Sequence, residues 1–218
     1  MQLILTPELL MEAYRQGLFP MAYNSGSPYI HWICPEMRGQ LSITDIHIPR
    51  RLLETVKKAP FEIRINADFE AVLRGCAEPT PKRPETWINA SIFKVFCDLH
   101  ERGHAHSVEC WEDDKLVGGI YGLAIGGAFF GESMFSRMRD ASKIALLHMV
   151  ARLWKGGFTL LDTQFVNEHL KQFGAYELPH DEYKKYLEDA VKAEGDFLLS
   201  GLSQEKIMDN YLAMRESN

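Results

Sequence analysis

The chain has 218 residues, 46% hydrophobic and 25% charged, an ordinary globular composition with enough length for one large domain and a small appendage. A formal net charge of -6 argues against broad, sequence-independent binding to nucleic acid, DNA included, so any RNA contact must be local. No apolar run reaches the ~20 residues that a membrane-spanning helix needs, and no membrane partner is expected.

The first helix is legible from its ends. Thr6 is a capping residue, Pro7 stands at the first helical position, and Gly17 follows Gln16 to stop it, with Leu9, Leu10, Ala13 and Tyr14 on the apolar side. A turn-rich stretch is expected over 19–28, then a strand over 29–33 that Pro35 closes. Helix over 49–58, strand over 61–65 and helix over 68–76 come next, then a Pro-rich loop over 78–85 with Trp87 just beyond it. A helix over 91–101 ends at Gly103 and leads into strands over 105–111, 116–125 and 128–132, the last two joined at Gly126-Gly127. A helix opening at Asp140 and running to Lys155 is apolar on most faces and should be buried against the sheet. A strand over 158–162, a helical turn around Asn167 and a helix over 181–192 complete the elements; the tail from Ala193 carries no motif. The pattern predicts a mixed α/β (α+β) layer architecture with a small N-terminal domain over 1–36 and a larger one over 37–218, an order compatible with the acyl-transferring GNAT fold.

Four cysteines (Cys34, Cys76, Cys97, Cys110) lie far apart without a C-x-x-C pair, so thiols in a reducing cytoplasm are expected. His104 and His106 share one strand side, but no third ligand stands at useful spacing, and no metal is expected. Basic residues gather at Arg50-Arg51, Lys57-Lys58, Lys82-Arg83 and Arg137 with Arg139, patches that could neutralise a few phosphates or simply be solvated surface.

The densest chemistry is in Gly131-Glu132-Ser133-Met134-Phe135-Ser136-Arg137, read as the place where a strand gives way to a loop. It is not a nucleophile elbow, because Phe135 stands where that turn needs glycine. A GNAT coenzyme A site would show a glycine-rich turn before its central helix, and residues 136–142 contain no glycine, so the acyl donor should be something else. In Asp162-Thr163-Gln164, positions two apart at a strand end project both polar side chains to one side, beside Asn167. Asp162 alone could equally cap the following turn.

These segments, together with Gly118-Gly119-Ile120-Tyr121-Gly122, Ala141-Ser142-Lys143 and Gly174-Ala175-Tyr176-Glu177-Leu178-Pro179, resemble the leucyl/phenylalanyl-tRNA-protein transferases. The similarity extends to residues 13–20, 86–88 and 103–107. It implies a GNAT-like domain that binds aminoacyl-tRNA in place of coenzyme A, using neither cofactor nor metal. It also implies transfer of Leu or Phe, and weakly Met, to the N-terminal α-amine of acceptor proteins, typically with N-terminal Lys or Arg, marking them for N-degron degradation. On the resemblance, Asp162 and Gln164 are the catalytic pair, with Gln164 positioning the amine while Asp162 orients its amide and helps handle the proton. Glu132 meets the donor α-ammonium, Trp87 stacks on the terminal adenosine, and Ile120, Phe129, Met134, Leu146, Met149, Leu153 and Leu161 form the donor side-chain pocket, with Ser136 and Asn167 also binding substrate. Met21 stands where the family motif often has Trp, so the second aromatic contact to the adenosine is expected to be absent or supplied by a thioether. An acyltransferase using another carrier, and a non-catalytic aminoacyl-tRNA-binding module, are the alternatives.

Overall fold

The computed structural model of the chain describes residues 4–81 and 83–217. Lys82 of the Lys82-Arg83 patch, and residues 1–3 and 218 of the two expected domains, lie outside the described residues. Helix α1 (Pro7–Arg15) is built as its ends predict: the Thr6 hydroxyl accepts the Leu9 N–H, and Gly17 takes φ +80° where a side chain would be strained. The stretch expected to be turn-rich begins instead as strand β1 (Phe19–Ala22), which pairs antiparallel with β2 (Ile30–Ile33) in a sheet of its own. Pro20 is tolerated there because a two-stranded sheet consists only of edges.

The rest of the chain runs β3 (Met37–Gln40), α2 (Arg50–Lys57), β4 (Glu62–Ile65), α3 (Phe69–Ala77), α4 (Ala90–Glu101), β5 (Ala105–Glu112), β6 (Lys115–Ile125), β7 (Ala128–Ser136), α5 (Ala141–Lys155), β8 (Leu160–Gln164), α6 (Glu168–Lys171), β9 (Tyr176–Pro179), α7 (His180–Ala190) and α8 (Gln204–Glu216). Seven strands form one sheet in the order β4-β5-β6-β7-β8-β3-β9. Its pairs are antiparallel except β7 with β8, which α5 joins as the crossover a parallel pair requires. One hydrophobic cluster packs α5 and α8 on one face of the sheet, and a second packs α1, α3, α4 and α7 on the other, giving a mixed α/β layer fold.

Three further expectations change, at β7, in the tail and beside β8, while α5 opens at Asp140 as expected. Strand β7 continues through Ser136 rather than stopping at Glu132, because β6 pairs with it as far as Gly118↔Ser136. Gly118 permits this: a Cβ there would lie 2.5 Å from the Ala141 Cβ, so only glycine lets the start of α5 close over the strand. Asp140 precedes α5 in the left-handed region (φ 63°) without a side-chain cap, and its carboxylate pairs with Lys143 at 3.0 Å instead. The tail, without motif in the sequence, contains α8, docked by Arg152 of α5. That guanidinium donates to the Phe197 and Leu198 carbonyls and to Gln204 Oε1. Strands β3 and β9, unforeseen, complete the sheet beside β8.

The cysteines are free thiols. The His106 ring stacks on Phe197 at 4.3 Å, and burial pushes its pKa down to about 4.

Candidate active site

Glu132 owes its direction to a bulge. The pairing of β6 with β7 runs Tyr121↔Ser133 and then Gly122↔Gly131, so Glu132 is the extra residue, unpaired and re-aimed from the regular alternation. Gly122 makes the bulge possible, since a Cβ there would lie 2.3 Å from the Phe130 carbonyl oxygen. Glu132 Oε1 accepts the Tyr14 hydroxyl at 2.7 Å and Gln164 Nε2 at 3.1 Å. Burial pushes the Glu132 carboxyl up to about 8, and the Asp162 charge adds to this; the Tyr14 hydrogen bond and Arg38 oppose it. Burial, reinforced by Glu132, also raises Tyr14 well above the ordinary phenol value, so its hydroxyl remains a donor.

Gln164 closes β8 in the left-handed region at φ 57°, a conformation that costs a non-glycine residue on the order of 1 kcal/mol and that recurs where a chain is held for function. The Asp162 carboxylate holds it there, Oδ1 accepting the Gln164 backbone N–H at 2.7 Å. The side-chain amide of Gln164 is committed to Glu132, which leaves its carbonyl Oε1 as the acceptor for a ligand in the cavity.

Asp162 is fully buried and forms no part of the cavity wall. Arg38 Nε lies 3.0 Å from each of its oxygens and Nη2 2.8 Å from Oδ2, while the Tyr183 hydroxyl also donates to Oδ2. Burial works against the Arg38 cation, and the Asp162 carboxylate beside it reverses the sign and raises its pKa. The guanidinium sits 4.8 Å from the ring centroids of both Phe19 and Tyr183, and its Nη1 donates to the Gly17 carbonyl at 2.6 Å. The expected contact of Asp162 with the Gln164 carboxamide is therefore replaced by one to its backbone. The carboxylate is thus enclosed behind the cavity wall and bonds the strand end.

One cavity of about 770 Å³ receives Glu132 and Gln164. Met21, Trp87, Ile120, Glu132, Met134, Ser136, Leu146, Met149, Leu161, Gln164 and Asn167 line it, as do Glu78, Pro79, Thr80, Pro81 and Arg83. Phe129 and Leu153, expected in the wall, lie behind it in the core, where Phe129 stacks on Phe197 at 5.3 Å. Ser136 Oγ donates to the Met138 carbonyl and Asn167 Oδ1 accepts the Leu170 N–H, so both serve the turns beside the cavity while facing it. The sequence reading missed Arg38, Tyr183 and Tyr14. The phenol of Tyr14 looked like one more apolar position of α1, and nothing in its spacing marks the long-range bond to Glu132.

The model of the leucyl/phenylalanyl-tRNA protein transferase family matches residues 40–188, and that of the family's N-terminal domain matches residues 4–36. Among similar proteins, the leucyl/phenylalanyl-tRNA--protein transferase of Paramagnetospirillum magneticum is 55% identical over 187 residues, covering 86% of this chain and 90% of that protein. The enzyme of the same name from Phenylobacterium zucineum is 54% identical over 192 residues (88% and 87%), and that from Rhodopseudomonas palustris 50% over 193 residues (88% and 86%).

Proposed function

Because the chain belongs to the leucyl/phenylalanyl-tRNA protein transferase family, and is thus an aminoacyltransferase, we propose that its cavity transfers leucine or phenylalanine from charged tRNA to the N-terminal α-amine of acceptor proteins. The observation that carries this reading is the Tyr14–Glu132–Gln164 chain, which places a carboxyl group and a free carboxamide oxygen in one cavity with an apolar wall.

In this reading the donor side chain packs on Ile120, Met134, Leu146, Met149 and Leu161, its α-ammonium meets Glu132, and its terminal adenosine rests on Trp87. The acceptor amine donates to Gln164 Oε1 and attacks the ester carbonyl. The C–N bond forms, the C–O bond to the ribose breaks, and the amine proton ends on the ribose oxygen. The ester is already activated, so alignment is the main demand. Asp162 is a positioning residue, acting through the Gln164 backbone, and Ser136 and Asn167 shape the floor. We further read 1–36 and 37–218 as separate domains, supported by the private β1–β2 sheet, and the larger sheet as GNAT-like. No helix among the described residues is long and apolar enough to cross a membrane. From the family we read the setting as cytoplasmic and the transfer as N-degron marking of acceptors with N-terminal Lys or Arg.

The test is transfer of labelled amino acids from charged tRNA to a polypeptide with N-terminal Arg. Leu and Phe should be used well and Met weakly. Apolar pockets discriminate by only about 1–3 kcal/mol per methylene, whereas a charged donor would be desolvated without a partner. Efficient transfer of Asp or Lys from its cognate tRNA would overturn the pocket assignment.

Glu132 adds a pH signature. With its carboxyl at about 8, the unliganded protein holds a proton there at pH 7, and an incoming ammonium displaces it. Affinity for a leucyl-adenosine amide analogue should rise with pH by up to about tenfold per unit from about 6 and level off towards about 8, where the ammonium of the analogue loses its own proton. Over the same window the unliganded fold binds more protons than the unfolded chain, so its stability should fall as pH rises. Calorimetry in buffers of different ionisation enthalpy should detect the released proton, and Glu132→Gln should abolish it. A pH-independent affinity in the parent together with undiminished binding by Glu132→Gln would exclude Glu132 as the ammonium site.

A further inference from the structure

Resting on this reading of the cavity as the donor site, we propose that Phe165 is a second base-binding side chain, which with Trp87 holds the terminal purine of the charged tRNA. Single exposed apolar residues are common and by themselves mean little. Phe165 differs in how it is held. It is 46% exposed yet lines the cavity, directly after the left-handed Gln164, and its N–H bonds back to the Thr163 carbonyl at 2.6 Å in a tight turn. Strand β3 closes beneath this turn only because residue 39 is glycine. A Cβ there would lie 2.7 Å from the Phe165 carbonyl carbon and 2.8 Å from Thr163 Oγ1. The Phe19 ring meets the Phe165 ring edge-on at 5.6 Å and is itself braced by the Arg38 guanidinium. The backbone and one side of the ring are thus fixed, while nearly half of the residue is open.

Strand β1 sets the order along the rim. Phe19 touches Phe165 at one end of β1, and the Ala22 N–H bonds the Trp87 carbonyl at the other (3.2 Å), with Met21 between them on the cavity wall. Between these two contacts β1 offers a thioether to the cavity, which can pack on a base but presents no aromatic face. A planar purine has two faces, and stacking on aromatic side chains is how proteins hold bases at strand ends. Phe165 carries no charge, so the ligand it suits is the base and not a phosphate.

The experiment titrates two probes by calorimetry: a leucyl-adenosine amide analogue, and its counterpart with the same leucyl amide on a ribose lacking the base. Phe165→Leu keeps apolar contact with Phe19 but removes the ring face. It should weaken the adenosine probe by about five- to tenfold and leave the base-free probe unchanged. With charged tRNA it should raise KM with little change in kcat. Adding Met21→Trp to Phe165→Leu should recover most of the adenosine affinity, since it supplies a ring on the intervening position. Undiminished adenosine binding by Phe165→Leu, or equal weakening of both probes, would overturn the proposal while leaving the donor site in place. A parent protein that binds neither probe, or binds both alike with no dependence on Trp87, would overturn the donor-site reading and the proposal with it.

Discussion

Arg38→Met should destabilise the protein by about 3–5 kcal/mol, because it strands a fully buried Asp162 carboxylate without its counter-ion. For a chain of this size that is a fall in Tm of roughly 6–20 °C. The loss reaches beyond the pair, since the same guanidinium holds the Gly17 carbonyl and lies between the Phe19 and Tyr183 rings. Asp162→Asn should cost a similar amount, because it strands the buried Arg38 cation and turns an amide NH2 toward Arg38, Tyr183 and the Gln164 N–H, which all donate. The double variant Arg38→Met with Asp162→Leu, which removes both charges, should recover part of the loss. Chemical unfolding of Arg38→Met, Asp162→Leu and their double variant forms a double-mutant cycle. A loss below about 1 kcal/mol for Arg38→Met would show that the pair is not the anchor its burial indicates.

Gln164→Ala should lower single-turnover transfer on the order of 10²-fold while binding of the leucyl-adenosine amide analogue stays within a few fold. Its backbone remains bonded to Asp162, so the strand end and the cavity persist. What disappears is the carboxamide oxygen for the acceptor amine and the donor to Glu132. Gln164→Glu is the informative companion. It keeps the shape but sets a second carboxyl about where Nε2 now lies, 3.1 Å from Glu132 Oε1, so at neutral pH one of the two must hold a proton. Its transfer rate should depend more steeply on pH than that of the parent. Near-normal single-turnover rates for Gln164→Ala would remove Gln164 from the chemistry.

The sequence made these two side chains visible through a specific motif, but not their division of labour. Positions two apart on a strand said that Asp162 and Gln164 share a side; they could not say that the first is sealed behind Arg38 and Tyr183. Helix α1 was legible from its Thr6 cap and apolar side, and α5 from a long apolar stretch that Gly156 ends. Strands β3 and β9 have four residues each, too few for alternation to show, and β3 carries a buried arginine that hydropathy places outside. Helix α8 was hidden for another reason: its buried positions, Gln204, Ile207, Met208 and Tyr211, include a polar residue that is inside only because Arg152 and His148 bond it. The aim of Glu132 depends on a one-residue offset between two strands, and sequence patterning does not encode register at that resolution.

The link between Arg38 and Asp162 also dictates when the protein can become active during its own synthesis. The partners are 124 residues apart, and Tyr183 comes later still. At the usual 5–20 residues per second, a nascent chain carries Arg38 for on the order of ten seconds before its counter-ion exists. Through that interval β3 has neither neighbour, because β8 and β9 are both made afterwards. The hairpins β5–β6 and β6–β7 are close in sequence and can form early, whereas the strand carrying Arg38 must wait and insert between two late arrivals. Closure of β3 between its neighbours therefore waits for residues 160–183, and a chain interrupted before residue 160 would hold the β5–β6–β7 part of its sheet without the partners of Arg38.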